Sequence, residues 1–460
     1  MKNLFVFSML LWSSVSLCGP LMTLTHKKDI RDYLNKKKFN GVILAKSKHR
    51  TLWKEAFGVR DIKTRKALTV HDKLLIGSNT KQMIATSLLQ LEEEGKLSID
   101  DPISKYIAVP KEYETITIKD ILNHTSGIAN YTNLDAFWEA FPNNPHITLD
   151  EIINFTLKYP LEFKPKSDWN YSNTGYIIAG KILEIQSGLT RDQYLEENIF
   201  SPLHMRNTGY SEYLKDVSPV TGHRFQDGKL VSYFPLNNLT WGASAGAIYS
   251  TVEDMAKWGR IYSHPKILGT ASSIKLITPF LADYALGVHA EKMEDGDTLV
   301  SHSGRVPGFV SKLNHLKKKD MTFVSLDNMD GGDLRYPADL LQDFYTKGKV
   351  DVIKWQRIEM SDQELAQYEG HFLGKNLDIT VYLKDHKLYL FPKGQRPYLM
   401  NPIEKDNFDL TYFAEEFLRN AKGEIIAIKH YQDGYISEFK KVSDVIPEVK
   451  APIEKAKALL

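Results

Sequence analysis

The chain predicts an α/β domain built on one antiparallel sheet, flanked by helices and carrying an all-helical insertion. A C-terminal up-and-down antiparallel β-barrel follows. Three observations predict this. Strand patterns frame the first part of the sequence, at 39–59 and again between 283 and 328. The stretch between them carries helical periodicity and loops. Beyond residue 362 the helical period vanishes, and apolar and polar residues alternate.

The elements follow in order. "MKNLFVFSMLLWSSVSLCGP" has Lys2, then an apolar run from Leu4 to Leu17 broken only by serines. This reads as an export signal over residues 1–18, too short for a membrane span, with small residues suited to cleavage after Ser16 or Cys18. Leu17 ahead of Cys18 disfavours lipidation there. Lys27 to Lys38 reads as a short helix with Ile30 and Leu34 on one face. "FNGVILA" (39–45) and "TLWKEAFGV" (51–59) read as two strands. From Asn79 to Glu94 a helix is predicted, with Ile84, Leu88 and Leu91 at i, i+4 and i+7 and Gly95 as its stop. "WNYSNTGYIIAGKILEIQSG" is a loop running into a helix that buries Tyr176, Ala179, Ile182 and Leu183. A further amphipathic helix spans Thr251 to Ile261. Strands return at 283–291, 297–304, 308–316 and 321–328. The framing strands and the helical middle make one domain over 25–345. A linker is expected over 346–362 and the barrel over 363–445, with turns at Lys384–His386, Ala421–Gly423 and Asp433–Gly434. Tyr382, Tyr389 and Phe391 are expected in the barrel core.

With 460 residues, 42% of them hydrophobic and 25% charged, the chain is long enough for two or three folded domains. The net charge of +2, with both signs interspersed, gives no basic stripe and so no nucleic-acid partner. Cys18 is the only cysteine, so a cleaved chain contains no disulfide and no cysteine-based metal site or nucleophile. No metal motif, phosphate loop or dinucleotide fingerprint occurs, and no cofactor is expected.

The chemistry is sought in serines. Ser-x-x-Lys occurs four times, starting at Ser78, Ser263, Ser272 and Ser437. Ser78 stands where a helix begins, where unpaired backbone N–H groups and a partial positive charge favour a developing oxyanion. Lys81, one turn on, shares its face. Two other elements are candidate partners: Tyr171-Ser172-Asn173 in the loop "WNYSNTGY", and His302-Ser303-Gly304 at the end of a strand. The rival Tyr131-Thr132-Asn133 lacks a following helix. The rival Lys257-Trp258-Gly259 lies inside one, where its backbone N–H groups are already paired. His124, in "NHTSG", reads as structural.

Ser-x-x-Lys at a helix start, Tyr-x-Asn in a loop and Lys/His-x-Gly on a strand resemble the three motifs of serine β-lactamases and penicillin-binding proteins. The Tyr-Ser-Asn form is similar to the branch that holds class C β-lactamases, D-alanyl-D-alanine carboxypeptidases, D-aminopeptidases and family VIII esterases. The likeness covers roughly residues 25 to 350 and includes "YSNTGYIIAGKILE", "IFSPLHMRNTGY" and "GAIYSTVEDMAKW". It implies a β-lactamase/transpeptidase-like fold with a lipocalin-like C-terminal barrel. It also implies an exported, periplasmic or secreted hydrolase near the cell wall or membrane surface, acting on a small molecule or peptide.

The implied catalytic set is Ser78, Lys81, Tyr171, Asn173 and His302, with Ser303, Gly304 and Arg305 binding substrate. Lys81 and Tyr171 would act as general base on Ser78, Asn173 would orient Lys81, and the backbone N–H groups of Ser78 and Arg305 would form the oxyanion hole. Dedicated β-lactamases of this branch usually carry lysine where His302 stands. A largely neutral histidine shifts the expectation towards an esterase or a peptidase acting on D-amino-acid substrates, with Arg305 as a replacement positive charge. The alternative is a catalytically silent binding or sensor protein that uses the barrel for recognition.

Overall fold

The computed structural model describes residues 24–445 apart from 142–145, 211–217, 227–228, 233–238, 331–335, 349–357, 375–377, 393–396, 411–412 and 433–434. The expected export signal, Cys18 and the turn at 433–434 lie outside the described residues.

The central sheet has six antiparallel strands in the order Thr51–Phe57, Gly41–Ser47, Met321–Asp327, Phe309–Leu316, Thr298–Val306, His289–Lys292. Its middle rung joins the two ends of the domain, because Gly41 pairs with Asp327 and Ser47 with Met321. Side chains on a strand alternate between faces, and the two faces feed two cores. Val42, Leu44, Leu313, Val324 and Leu326 enter the large core shared with Ile84, Leu88 and Ile178. Ile43, Ala45, Leu316, Met321 and Phe323 enter a smaller core, closed by Ile30 and Leu34 of the helix Leu24–Lys36 and by Leu341 and Phe344 of the helix Pro337–Lys347. Both helices are amphipathic and cover one face of the sheet; the helical insertion covers the other.

One expected strand is mostly absent. Residues 283–288 form a bent segment with isolated bridges only at Tyr284, to Leu281 and His289, and continuous strand pairing begins at His289. Ala285, Leu286 and Val288 are apolar and fully buried, which mimics a strand in sequence. Gly287, however, takes φ +76°, a left-handed conformation that no strand residue holds. A Cβ at Gly287 would lie 2.9 Å from both the Lys81 carbonyl oxygen and the Tyr176 hydroxyl, so this segment runs against the helix that carries Lys81.

The C-terminal region forms a closed barrel of eight strands in chain order, Gly370–Leu373 to Tyr435–Ser443, with the last paired back to the first. Phe372, Val381, Leu390, Met400, Phe408, Phe417, Ile428 and Phe439 fill it. Tyr382 and Tyr389 are not among them. They sit directly opposite each other across a strand pair, stacked with centroids 5.6 Å apart. Alternation puts them on the outer face, because Val381, Leu388 and Leu390 take the inner positions. Phe391 follows the same outward register. Among the described residues, no helix is long and apolar enough to cross a membrane.

Candidate active site

Ser78 lies in a single 3-10 turn, Gly77–Asn79, that leads into the helix Thr80–Glu93. Gly77 takes φ +50°, and a Cβ on it would stand 2.5 Å from the backbone nitrogen of Arg305. Gly304 is equally constrained. Its Cβ would collide with the carbonyl oxygen of Ile76 at 2.0 Å and lie 2.9 Å from the backbone nitrogen of Ser78. These two glycines let the nucleophile turn and the third-motif strand touch backbone to backbone. The touching brings the N–H groups of Ser78 and Arg305, the expected oxyanion donors, to one place.

Lys81 is fully buried, and its ammonium has three acceptors for three hydrogens. Nζ donates to Ser78 Oγ at 3.0 Å, to Asn173 Oδ1 at 2.8 Å and to the Ala245 carbonyl oxygen at 2.8 Å. None of these acceptors carries a formal charge. Burial therefore pushes Lys81 well below the ordinary lysine range. The amine also lies 4.9 Å from the ring centroid of Tyr171 and 5.4 Å from that of Tyr176. Ser78, Lys81, Tyr171 and Asn173 thus meet around one nitrogen.

The second motif is held by residues that the sequence offered only as rivals or landmarks. Asn173 opens the helix Asn173–Ser187. Its Nδ2 donates to Thr132 Oγ1 at 3.1 Å, and its backbone N–H donates to Asn130 Oδ1 at 3.1 Å. The rival tripeptide Tyr131-Thr132-Asn133 is therefore the scaffold of the second motif. His124 sits at φ +64°, fully buried, and its Nδ1 accepts the backbone N–H of Ser172 at 3.2 Å. Burial, followed by the charge of Lys81, drives its pKa well down, so His124 is a neutral structural histidine. The other rival, Lys257-Trp258-Gly259, lies inside the helix Val252–Gly259 as expected.

His302 and Gly304 share the face of their strand that looks towards Ser78, along with Val300 and Val306. His302 is almost fully buried, and its ring lies 6.5 Å from that of Tyr171. Its Nε2 is 2.9 Å from the Tyr284 hydroxyl, and its Nδ1 contacts the Ser303 carbonyl oxygen. Ser303 and Arg305 fall on the opposite face. Arg305 Nε lies 4.0 Å from Asp330 Oδ1, so its charge faces a nearby carboxylate. The strand Thr298–Val306 pairs on one side along its length, whereas the edge strand meets it only from Thr298 to Ser301. Among the described residues, the stretch 302–306 is therefore a sheet edge beside the nucleophile.

Behind Ser78 runs a buried polar chain that the motif search did not reveal. Ser311 Oγ donates to the Ile76 carbonyl oxygen at 2.7 Å and accepts from Asn79 Nδ2 at 2.7 Å. Gln82 donates to Asn79 Oδ1 and accepts from Trp258 Nε1 at 2.9 Å and from the Tyr262 hydroxyl. Side chains flanking Ser78 and Lys81 are thus fixed to the sheet and to the helix Val252–Gly259. The available signal was weak: two amides next to a motif, with no partner spacing to name.

The arrangement is a serine hydroxyl bonded to a buried amine beside a sheet edge, with no metal ligands gathered among the described residues. A family model described as Beta-lactamase matches residues 26–344. The putative penicillin-binding protein PbpX of Bacillus subtilis is 30% identical over 309 residues, 66% of this chain and 74% of that protein. Penicillin-binding protein 4* of Bacillus subtilis is 24% identical over 422 residues, 83% and 90% of the two chains. Among solved structures, the octameric penicillin-binding protein homologue of Pyrococcus abyssi superposes with a TM-score of 0.64 at 23% identity, covering 90% of this chain and 99% of the other. The D-amino acid amidase of Ochrobactrum anthropi SV3, complexed with L-phenylalanine amide, gives 0.57 at 23%, covering 70% and 93%. The chain belongs to the β-lactamase family of serine hydrolases and penicillin-binding proteins.

Proposed function

We propose that this protein is an exported acyl-serine hydrolase that forms an acyl-enzyme on Ser78 and hydrolyses an amide or ester of D-amino-acid type. The observation that carries the reading is the buried Lys81, whose amine bonds Ser78 Oγ and Asn173 Oδ1 together. A serine hydroxyl is a weak nucleophile until a neighbouring base takes its proton. Burial favours the neutral amine of Lys81, the form able to take that proton, with the Tyr171 phenol alongside.

In the first half-reaction, Ser78 Oγ bonds to the substrate carbonyl carbon while its proton passes to the Lys81–Tyr171 pair. The oxygen of the tetrahedral intermediate accepts from the N–H groups of Ser78 and Arg305; such donors contribute roughly two to three powers of ten in rate. The carbon–nitrogen or carbon–oxygen bond then breaks, and the leaving group receives the proton, with Tyr171 as donor. Water attacks the ester on Ser78 in the second half-reaction, and the proton it loses returns the serine hydroxyl. Asn173 orients Lys81, while the strand edge at 302–304 lies along the substrate, with His302 and Gly304 on the Ser78 side. The relatives named as penicillin-binding proteins and the amidase neighbour support acyl transfer at this position. The apolar N-terminal run supports export.

The test is covalent. A fluorophosphonate or fluorescent penicillin should label the purified protein, and mass spectrometry should place the adduct on Ser78. Ser78→Ala should abolish both labelling and turnover of p-nitrophenyl acetate or D-amino-acid anilides. Failure of every probe to modify Ser78 in folded protein would refute the hydrolase reading in favour of a silent binding protein.

A further inference from the structure

Asn173 meets Lys81 with one end of its side-chain amide and Thr132 with the other. The two ends are unlike, an acceptor oxygen and a donor nitrogen, so turning the amide over would reverse its effect on the lysine. We infer that Thr132 is a positioning residue: its hydroxyl, itself oriented by Asn130, locks the Asn173 amide with the oxygen towards Lys81 and so leaves the lone pair of the neutral amine to Ser78. The inference rests on the acyl-serine reading of the same cleft.

The lock is built from hydrogens, beginning at the backbone. A backbone N–H only donates. Those of Asn173, at 3.1 Å, and Thr132, at 3.4 Å, both point at one side-chain atom of Asn130, so that atom is the amide oxygen Oδ1. Thr132 Oγ1 lies 3.0 Å from the same oxygen. An amide oxygen cannot donate, so the hydroxyl hydrogen of Thr132 goes to Asn130. Thr132 Oγ1 then offers Asn173 lone pairs only, and the Asn173 amide turns its Nδ2 to them at 3.1 Å. Its Oδ1 is left facing Lys81 Nζ at 2.8 Å. The segment carrying the lock is fastened on both sides. Thr174 Oγ1 accepts the Tyr131 N–H at 3.1 Å and donates to the Ala129 carbonyl oxygen at 2.6 Å, and the Trp138 indole donates to the Thr132 carbonyl oxygen at 3.1 Å.

The consequence falls on the lysine nitrogen. A neutral amine has two hydrogens and one lone pair. Asn173 Oδ1 and the Ala245 carbonyl oxygen, both at 2.8 Å, accept only, so they take the two hydrogens. The third contact, Ser78 Oγ at 3.0 Å, receives the lone pair, and the serine hydroxyl donates to Nζ. That is the direction in which the proton must move when Ser78 attacks. A reversed amide would point Nδ2 at the same lone pair and compete with Ser78 for it. It would also deprive the ammonium form of an acceptor, which favours the neutral amine.

The test reads the pH profile of kcat/KM for p-nitrophenyl acetate. Thr132→Val keeps the side-chain shape and removes the hydroxyl. It should lower kcat/KM roughly tenfold and move the acidic limb of the profile to lower pH. Thr132→Ser, which keeps both donor and acceptor, should restore both. Asn130→Ala keeps the Thr132 hydroxyl but releases its hydrogen to donate towards Asn173, which accommodates the reversed amide, so the limb should move in the same direction. The titratable groups about the Lys81 amine are Tyr171 and Tyr176, with His124 and His302 behind them. All four are kept in every variant, so the limb reports the amide. A merely structural role for Thr132 would lower activity with the limb unmoved, and that result overturns the inference. A serine variant no better than the valine one overturns it as well. Should Thr132→Val fail to fold, an unmoved limb in Asn130→Ala overturns it by itself. Fluorophosphonate labelling separates the two levels. Labelled Ser78 with an unmoved limb sinks the Thr132 assignment alone, whereas an unlabelled wild-type protein sinks the hydrolase reading together with it.

Discussion

The core beneath Ser78 and the core of the barrel are assembled from opposite materials. Around the nucleophile the chain buries a lysine, two side-chain amides, a histidine and several hydroxyls, each bonded to a named partner. The barrel interior is a cluster of aliphatic and aromatic residues. Its polar contacts include the buried Glu415–His430 pair at 2.6 Å, the buried Asn401 amide on the Asp409 carbonyl oxygen at 3.2 Å and the half-buried fork of Arg419 on Asp406. An apolar core contributes stability in proportion to its area and tolerates a lost methylene. A buried polar network contributes little net stability and specifies one geometry, because any unmade bond is costly. The first region thus looks built to hold reacting groups still, and the second to hold a fold.

Four substitutions would break or sharpen that contrast. The largest effect is expected from Lys81→Arg, which fixes a positive charge where the neutral amine must act. Turnover should fall on the order of 10⁴-fold, with circular dichroism unchanged. In the unsubstituted protein kcat/KM should rise with pH through the value of the buried Lys81 amine, which burial holds well below that of a free lysine. The sign follows from the amine being the form that accepts the Ser78 proton.

Next, Phe417→Ala should destabilise the barrel by about 3–5 kcal/mol, visible in denaturant unfolding of that region by a local fluorescence probe. Ester hydrolysis per labelled Ser78 should stay within threefold; a parallel collapse of activity would mean that the barrel core also supports the cleft. Third, Gln82→Leu removes the acceptor for Trp258 and Tyr262 and the donor to Asn79. It should lower kcat roughly 10- to 100-fold while KM changes little, since the loss falls on the positioning of the Ser78 turn.

The smallest effect is expected at Asp327, a carboxyl buried at the end of the central strand Met321–Asp327 and raised well above its usual pKa by burial. Through the window between the ordinary carboxylate value and the raised one, the folded chain holds a proton that the unfolded chain releases. Stability therefore falls as pH rises through that window. Asp327→Asn should remove this slope and gain about 1–2 kcal/mol at neutral pH, read as a flatter dependence of Tm on pH.

Much of this was legible in the residues. The stretches 41–47, 309–316 and 321–327 read as strands, and almost all of their residues are buried because each strand feeds two different cores. Spacing found Ser78 and Lys81, and the companion motifs found Tyr171 and Asn173. What escaped has physical reasons. The apolar run Ala285–Val288 looks like a strand because burial, not pairing, demands its residues. Tyr382 and Tyr389 look like core because aromatic content does not say which face of a strand they occupy; the alternation of Val381 and Leu390 does. Thr132 and Gln82 act through partners distant in sequence, and no local pattern encodes such partners. The Tyr131-Thr132-Asn133 copy is set aside in the sequence for lacking a following helix, yet the helix Asp135–Ala140 does follow it, and its Thr132 hydroxyl braces Asn173.

The backbone contact between Gly304 and the Ser78 turn has one more implication. Ser78 and the Arg305 N–H, one of the two expected oxyanion donors, come from opposite ends of the domain, and the central rung that joins those ends forms only when the last sheet strands have been made. On the acyl-serine reading, a polypeptide that has not yet closed this sheet lacks the Arg305 donor beside Ser78. The architecture thereby doubles as its own safety catch, since the site is complete only in the folded domain.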